Sequence, residues 1–280
     1  MNSSLLELDN ITMKFGGLSA VKDFSINVND NEILGLIGPN GAGKTTVFNV
    51  ITGVYIPTEG RLDFDGIDIT QFKPHLITHL GISRTFQNIR LFQDMTVLEN
   101  VMVAMHHELF ETGGDRILQK NGKDTYGSSG IWFWKSLFKF GYSKKEKEME
   151  QKSKEILEKL GLKKFMNDKA SSLPYGEQRK LEIARALATN PKLLLLDEPA
   201  AGMNPSESTS LMDLIRKIKE DFHVSVFIIE HDMKVVMGVC ERIVVMDYGQ
   251  VIAHGTPQEI QNNPKVIEAY LGEEWEDGQG

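Results

Sequence analysis

Gly38-Pro39-Asn40-Gly41-Ala42-Gly43-Lys44-Thr45 is the stretch on which the fold turns. It fits the pattern G-x-x-x-x-G-K-[ST] of a phosphate-binding loop, and its surroundings fit as well. Residues 32–37 before it form a compact apolar run that reads as a strand, and residues 45–52 after it, closed by Gly53, read as a helix. Glycines let the backbone curl so that its N–H groups converge on phosphate oxygens. The start of the helix adds the positive end of its dipole. Lys44 supplies a full charge to β- and γ-phosphates, and the Thr45 hydroxyl can ligate Mg2+. The expected ligands are therefore ATP and Mg2+.

Further along lie two apolar runs, residues 193–196 and 224–229, the second interrupted only by Ser225. Their lack of alternation suits parallel strands covered on both faces. The first delivers Asp197 and Glu198 to its carboxyl end, the edge at which open α/β sheets bind ligands. Asp197 stands where a carboxylate would hold Mg2+ or its waters. Glu198 is then the natural general base for water attacking the γ-phosphate. An Asp-Glu pair after a strand is by itself usually a helix cap or a solvated turn; the upstream phosphate loop reverses that reading. Glu230-His231-Asp232 follows the second run in the same way, so His231 falls on the same edge, within reach of the γ-phosphate and the water.

Strand and helix patterns alternate along most of the chain, which means α/β with a mainly parallel sheet. Residues 5–28 carry short alternating stretches, such as Phe24-Ser25-Ile26-Asn27-Val28, that read as half-buried strands. Residues 61–64 add another, turning at Asp65-Gly66. Thr96-Val97-Leu98-Glu99 reads as a capping box, and Ile156, Leu157 and Leu160 have helical spacing that ends at Gly161. Residues 105–151 are the least regular. Within them, 131–142 concentrate Trp132, Phe133, Trp134, Leu137, Phe138 and Phe140 beside Lys135 and Lys139. That mix suits either a surface against a permease or lipid edge, or a helical hairpin packed on its own domain. The acidic tail, 272–280, reads as loose.

The bulk numbers are those of a globular protein. The 280 residues are 41% hydrophobic and 25% charged. A formal net charge of -8 argues against nonspecific binding to nucleic acid. The single cysteine, Cys240, cannot form an intrachain disulfide, which fits a reducing compartment, and it reads as a small apolar residue. Residues 1–10 include Glu7 and Asp9 and lack a basic start or long apolar core, so they do not read as a signal peptide. No apolar run approaches the ~18 residues of a spanning helix, so any membrane role comes through a partner.

Residues 38–46, Gln87, Leu173-Pro174-Tyr175-Gly176-Glu177-Gln178, residues 193–198 and His231 occur in the order found in the ABC ATPases, and the chain resembles that family over nearly its whole length. The resemblance implies a P-loop NTPase fold with a mainly parallel core sheet, an antiparallel β subdomain and a helical subdomain. It divides the chain into a nucleotide-binding core of 1–86 and 185–260, a helical part 87–184 with an insertion 105–151, and an extension 261–280. It implies a head-to-tail dimer with two ATP molecules at the interface, each touching one subunit's phosphate loop and the other's signature loop. Thr46 joins the phosphate-binding residues, and Phe15 resembles the aromatic that stacks on adenine, a core role being its alternative. Gln87, in Arg84-Thr85-Phe86-Gln87-Asn88, resembles the glutamine that links Mg2+ to the transmembrane partner.

Ser83 to Phe92, Leu173 to Ala188 and Asp197-Glu198-Pro199-Ala200-Ala201-Gly202-Met203-Asn204-Pro205 narrow the likeness to the LivG-type subunit of branched-chain amino-acid importers. Urea and short-chain amide importers share much of this pattern. The type implies two permease subunits, a second ATPase subunit in a homo- or heterodimer, a soluble binding protein, no nucleic acid, and a peripheral place on the cytoplasmic face of the membrane. A soluble ABC protein acting on ribosomes or DNA would carry two cassettes or long coiled coils, neither of which is present. Glu198 and His231 argue against a module that binds without turnover. The signature loop departs from the usual Leu-Ser-Gly-Gly-Gln: Pro174 replaces Ser, Tyr175 the first Gly, and Glu177 the Gln. Gly176 remains, and a helix starting there still offers N–H groups to an anion. Asn204 stands where Asp is common.

Overall fold

The computed structural model describes residues 4–105 and 139–277, with backbone alone over 139–144 and 271–277. The chain forms two compact units, Met1–Ile89 with Asn190–Gly280, and Arg90–Thr189.

In chain order the first unit opens with β1 (Ser4–Phe15), β2 (Leu18–Asn29) and β3 (Ile33–Ile37), followed by α1 (Lys44–Ile51). β4 (Glu59–Phe64), β5 (Ile67–Asp68), α2 (Pro74–Leu80) and β6 (Ile82–Arg84) come next. The second unit supplies α3 (Val97–Ala104), α4 (Lys139–Lys159) and α5 (Tyr175–Leu187). The chain returns to the first unit with β7 (Leu193–Asp197), α6 (Pro205–Phe222), β8 (Ser225–Ile229) and α7 (Met233–Val239). It ends with β9 (Arg242–Asp247), β10 (Gln250–Gly255), α8 (Pro257–Gln261) and α9 (Pro264–Asp277).

The first unit holds two sheets. One is antiparallel, in the order β2-β1-β4-β5. Its β4–β5 turn is Asp65-Gly66, both at positive φ, which a two-residue hairpin requires. The other runs β10-β9-β3-β8-β7-β6, parallel throughout except at the β9–β10 hairpin. β3, β7 and β8 are buried along their whole length, which is why they read as apolar runs without alternation; Ser225 and Asp197 are the polar exceptions. The sheets share a core in which Leu6, Phe24 and Phe64 of the antiparallel sheet join Leu36, Leu195 and Ile229. Phe48 of α1 meets Phe227 of β8 edge-on, ring centroids 5.1 Å apart. Each such side chain contributes ~1.5–3 kcal/mol on burial, so the flanks of the phosphate loop are anchored from both sides. Because β3, β8 and β7 are parallel neighbours, their carboxyl ends share one edge. That edge receives the phosphate loop, Asp197-Glu198 and Glu230-His231.

The second unit is helical. α3 begins with the capping box: the Thr96 hydroxyl accepts from the Glu99 N–H, and the Glu99 carboxylate accepts from the Thr96 N–H. α3, α4 and α5 pack on one another, burying Val97, Val101, Leu157, Leu181 and Leu187. Asn100, fully buried, accepts from the Phe92 N–H and donates to the Phe92 and Thr96 carbonyls.

The tail departs from expectation. α9 continues through Asp277, so residues 272–277 are helical although their acidity reads as loose. A local start signal outweighs composition there: Pro264 opens the helix and the Asn263 carboxamide oxygen accepts from the Lys265 N–H. The aromatic stretch 131–142 lies outside the residues whose side chains are described.

Candidate nucleotide-binding and hydrolysis site

The loop between β3 and α1 has a backbone that only glycine fits at two points. Gly38 (φ 147°) and Gly43 (φ 102°) lie in the left-handed region. A Cβ on Gly38 would stand 2.0 Å from the Met246 carbonyl oxygen, and one on Gly43 2.5 Å from that of Ala20. The β9–β10 turn braces the loop from below: Gly249 N–H donates to the Ala42 carbonyl at 3.0 Å, and Lys22 N–H donates to the Gly249 carbonyl at 2.9 Å. The Lys44 ammonium lies across the loop's mouth, donating to the carbonyls of Gly38 at 2.5 Å and Pro39 at 2.7 Å. Asn40, Gly41 and Thr45 are exposed, Ala42 is buried and Thr46 is half-buried. Such a ring of curled backbone, a cation and a helix start can enclose a polyphosphate.

Arg84 joins this loop's helix to the acidic pair. Its guanidinium donates to Asp197 Oδ2 at 2.6 Å and to Asn49 Oδ1 of α1 at 2.7 Å, with both charged side chains nearly buried. It also lies 5.5 Å and 5.3 Å from the Phe48 and Phe86 ring centroids, in cation–π range. Nothing local in the sequence around Arg84 marks this pairing.

Glu198 follows Asp197 with φ 46°, a left-handed conformation rarely adopted by a glutamate. Its N–H donates to the Ile229 carbonyl at 2.9 Å, continuing the β7–β8 ladder by one rung. Gln87 Nε2 donates to Glu198 Oε2 at 2.6 Å. His231 Nδ1 stands 3.8 Å from the same oxygen. Gln87, Glu198 and His231 thus form one cluster at the sheet edge. The imidazole is 60% exposed and the Glu198 side chain 20%, so a water and a phosphate can approach both. The oxygen donors of Thr45, Asp197 and Gln87 suit Mg2+, which takes one or two carboxylates and completes its shell with phosphate and water.

Phe15 closes β1 exposed, its ring 5.2 Å from that of Tyr55 and at 75° to it. Glu230 is fully buried, and burial pushes its carboxyl above the usual range against hydrogen bonds that pull it down. Only its acidity after an apolar strand marked it in the sequence.

The signature stretch lies in the second unit. α5 begins at Tyr175, one residue before Gly176, with Pro174 as its cap residue and no side-chain cap. Pro174 and Tyr175 are exposed and Gly176 and Glu177 half-buried. The Glu177 carboxylate pairs with Lys180 at 3.1 Å, one turn along, and so points away from the helix start. Asn204 caps α6: its side chain accepts from the Ser206 and Glu207 N–H groups while Glu207 accepts from the Asn204 N–H. Asn serves that cap as well as Asp does.

Residues 21–201 match the family described as ABC transporter, and residues 250–276 match the one described as branched-chain amino acid ATP-binding cassette transporter. The chain is 44% identical to the high-affinity branched-chain amino acid transport ATP-binding protein BraF of Pseudomonas aeruginosa, over 98% of this chain and 100% of that one. It is 42% identical to the LivG protein of Escherichia coli, which carries the same description, with the same coverage. Among solved structures it is similar to MJ1267, an ATP-binding cassette of an ABC transporter in its ADP conformation, with TM-score 0.78, 33% identity, and coverage of 96% and 99%. It is also similar to the dimeric ATP-binding cassette MJ0796 bound to ADP and Pi, with TM-score 0.68, 27% identity, and coverage of 90% and 98%.

Proposed function

The chain belongs to the ABC transporter family as an ATP-binding, ATP-hydrolysing cassette, and on that premise we propose that it powers an importer of branched-chain amino acids. The supporting observation for hydrolysis is the cluster of Gln87, Glu198 and His231 on the edge that receives the phosphate loop. The transport descriptions of BraF and LivG and the match at 250–276 support the substrate class.

In this reading the N–H groups of residues 38–46 hold the phosphates, and Lys44 leaves its own carbonyls for the β- and γ-phosphate oxygens. Phe15 stacks on adenine. Thr45, Asp197 and Gln87 would hold Mg2+, which when bound neutralises charge between the β- and γ-phosphates. Glu198 accepts the proton of the attacking water, oriented by Gln87, and His231 hydrogen-bonds the γ-phosphate. Dimerisation brings a second ATPase subunit, so that Pro174, Tyr175, Gly176 and Glu177 of one chain close the phosphate loop of the other. Two permease subunits and a soluble binding protein complete the assembly. Among the described residues no helix is long and apolar enough to cross a membrane, which is compatible with a peripheral place on the cytoplasmic face.

The test is reconstitution of the permeases, both ATPase subunits and the binding protein in vesicles. ATP-dependent leucine uptake is expected, and it should vanish with Lys44→Ala, which removes nucleotide binding itself. Uptake of urea or a short amide without leucine would replace the substrate class. Undiminished ATP affinity in Lys44→Ala would contradict the role of the loop.

A further inference from the structure

Glu230 directly follows β8, and it is 0% exposed. A carboxylate so placed is costly unless its oxygens are satisfied. Both accept from backbone N–H groups here, and Oε2 also stands 3.9 Å from His231 Nδ1. Oε1 accepts from the Ala200 N–H at 2.7 Å. Oε2 accepts from the N–H groups of His231 at 3.1 Å and Asp232 at 3.4 Å. Ala200 lies two residues beyond Glu198, and the Glu198 N–H is itself held by the Ile229 carbonyl at 2.9 Å. One buried carboxylate therefore ties the segment leaving Glu198 to the loop carrying His231. His231 Nδ1 thus lies between two carboxylates, 3.8 Å from Glu198 Oε2 and 3.9 Å from Glu230 Oε2, and of the two only Glu230 is fully buried and held by both loops.

We propose that Glu230 is a positioning residue that fixes the spacing of Glu198 and His231 by clamping the two loops after β7 and β8. The proposal rests on the hydrolytic roles given to those two residues. Without the clamp, the left-handed turn at Glu198 and the His231 loop relax independently. ATP binding, which relies on the phosphate loop, stays as it was. Gln at 230 keeps one acceptor for Ala200 but sets an NH2 against the N–H groups of His231 and Asp232, so it repairs only part.

The experiment compares the full chain in its assembled complex as wild type, Glu230→Ala, Glu230→Gln, His231→Ala and the double variants. Glu230→Ala should lower kcat by about tenfold or more, Glu230→Gln by less, and both should leave nucleotide affinity within about twofold. In the His231→Ala background either Glu230 variant should add little, because the spacing it protects is already without use. Full multiplication of the two losses, or a kcat unchanged by Glu230→Ala, overturns the proposal. Should Glu230→Ala fail to fold, the Glu230→Gln cycle decides by the same criterion. Normal turnover in His231→Ala alone would instead overturn the role of His231, a separate failure seen in a separate arm.

Discussion

Gln87 donates its side-chain amide to the Glu198 carboxylate across 2.6 Å. The contact joins a residue three positions past the end of β6 to the residue just past β7, so a movement of the segment at Gln87 is felt at the group proposed to take a proton from water. Glu198 occupies a left-handed backbone conformation (φ 46°), which directs its side chain differently from that of Asp197 beside it. The two neighbouring acids are thus separated by their surroundings: Asp197 is paired with Arg84, and Glu198 is left to Gln87 and His231.

Glu198→Gln tests that separation. A glutamine still accepts from Gln87 through its amide oxygen, so the geometry is kept while proton acceptance is lost. Steady-state phosphate release should fall by about a hundredfold or more. Nucleotide affinity should hold, and the trapped ATP should favour a stable dimer by sedimentation. Normal hydrolysis would remove Glu198 from the role of base.

Arg84 and Asp197 form a buried pair, 2.6 Å apart, with side chains 7% and 6% exposed. Arg84→Ala leaves the Asp197 charge buried without its partner, a change that typically costs about 3–5 kcal/mol. Arg84→Lys keeps the charge but not the fork that also reaches Asn49, and should recover only part. Urea denaturation of the full chain reads the difference. A loss below about 1 kcal/mol in Arg84→Ala would mean that Asp197 finds water or a proton instead.

The limits of sequence reading follow from the same contacts. β7 and β8 were legible because a nearly all-apolar run has few other uses, and the acids at their carboxyl ends were legible because strand ends carry ligands in this kind of sheet. Arg84 was not, since its partner lies 113 positions away and nothing local marks the pairing. Glu230 stood in plain view beside His231, but a buried carboxylate satisfied by backbone N–H groups leaves no spacing pattern in a sequence. The orientation of Glu177 is likewise set by a contact, its pairing with Lys180, and not by the signature pattern itself.

Cys240 gives a prediction independent of catalysis. Burial, then the charges of Glu230 and Glu241, push its thiol from 9.0 up to about 12. At pH 8 only about one molecule in ten thousand carries the thiolate, so iodoacetamide should not label the native chain and should label it readily in urea. A folded thiol value above the unfolded one also means that this group's contribution is present below pH 9 and lost as pH rises towards 12. Fast labelling of folded protein would show that the site opens.

In a dimer with a second, different ATPase subunit, two unequal composite sites arise. One uses this chain's Lys44, Asp197, Glu198 and His231, closed by the partner's signature loop. The other uses the partner's phosphate loop, closed by Pro174, Tyr175, Gly176 and Glu177. Pro174 offers no hydroxyl there, and α5 starts without a side-chain cap. Glu177 is less of a burden than its charge implies, because Lys180 draws its carboxylate away. The loss is then chiefly one charge-assisted hydrogen bond, worth roughly 1.5–3 kcal/mol, or about tenfold or more in rate. This chain's phosphate loop should therefore carry most of the hydrolysis. Replacing each phosphate-loop lysine in turn within the assembled complex measures the split, and equal losses would sink the asymmetry. Pro174→Ser, made in a complex whose Lys44 is already alanine, reads the weaker site alone. Serine at that position also caps α5, so its gain in stability, about 1 kcal/mol, must be measured separately by thermal unfolding. A rise in turnover beyond any change in stability assigns the deficit to the missing hydroxyl. A gain in stability without a gain in rate would show that the N–H groups of the first turn of α5 already suffice.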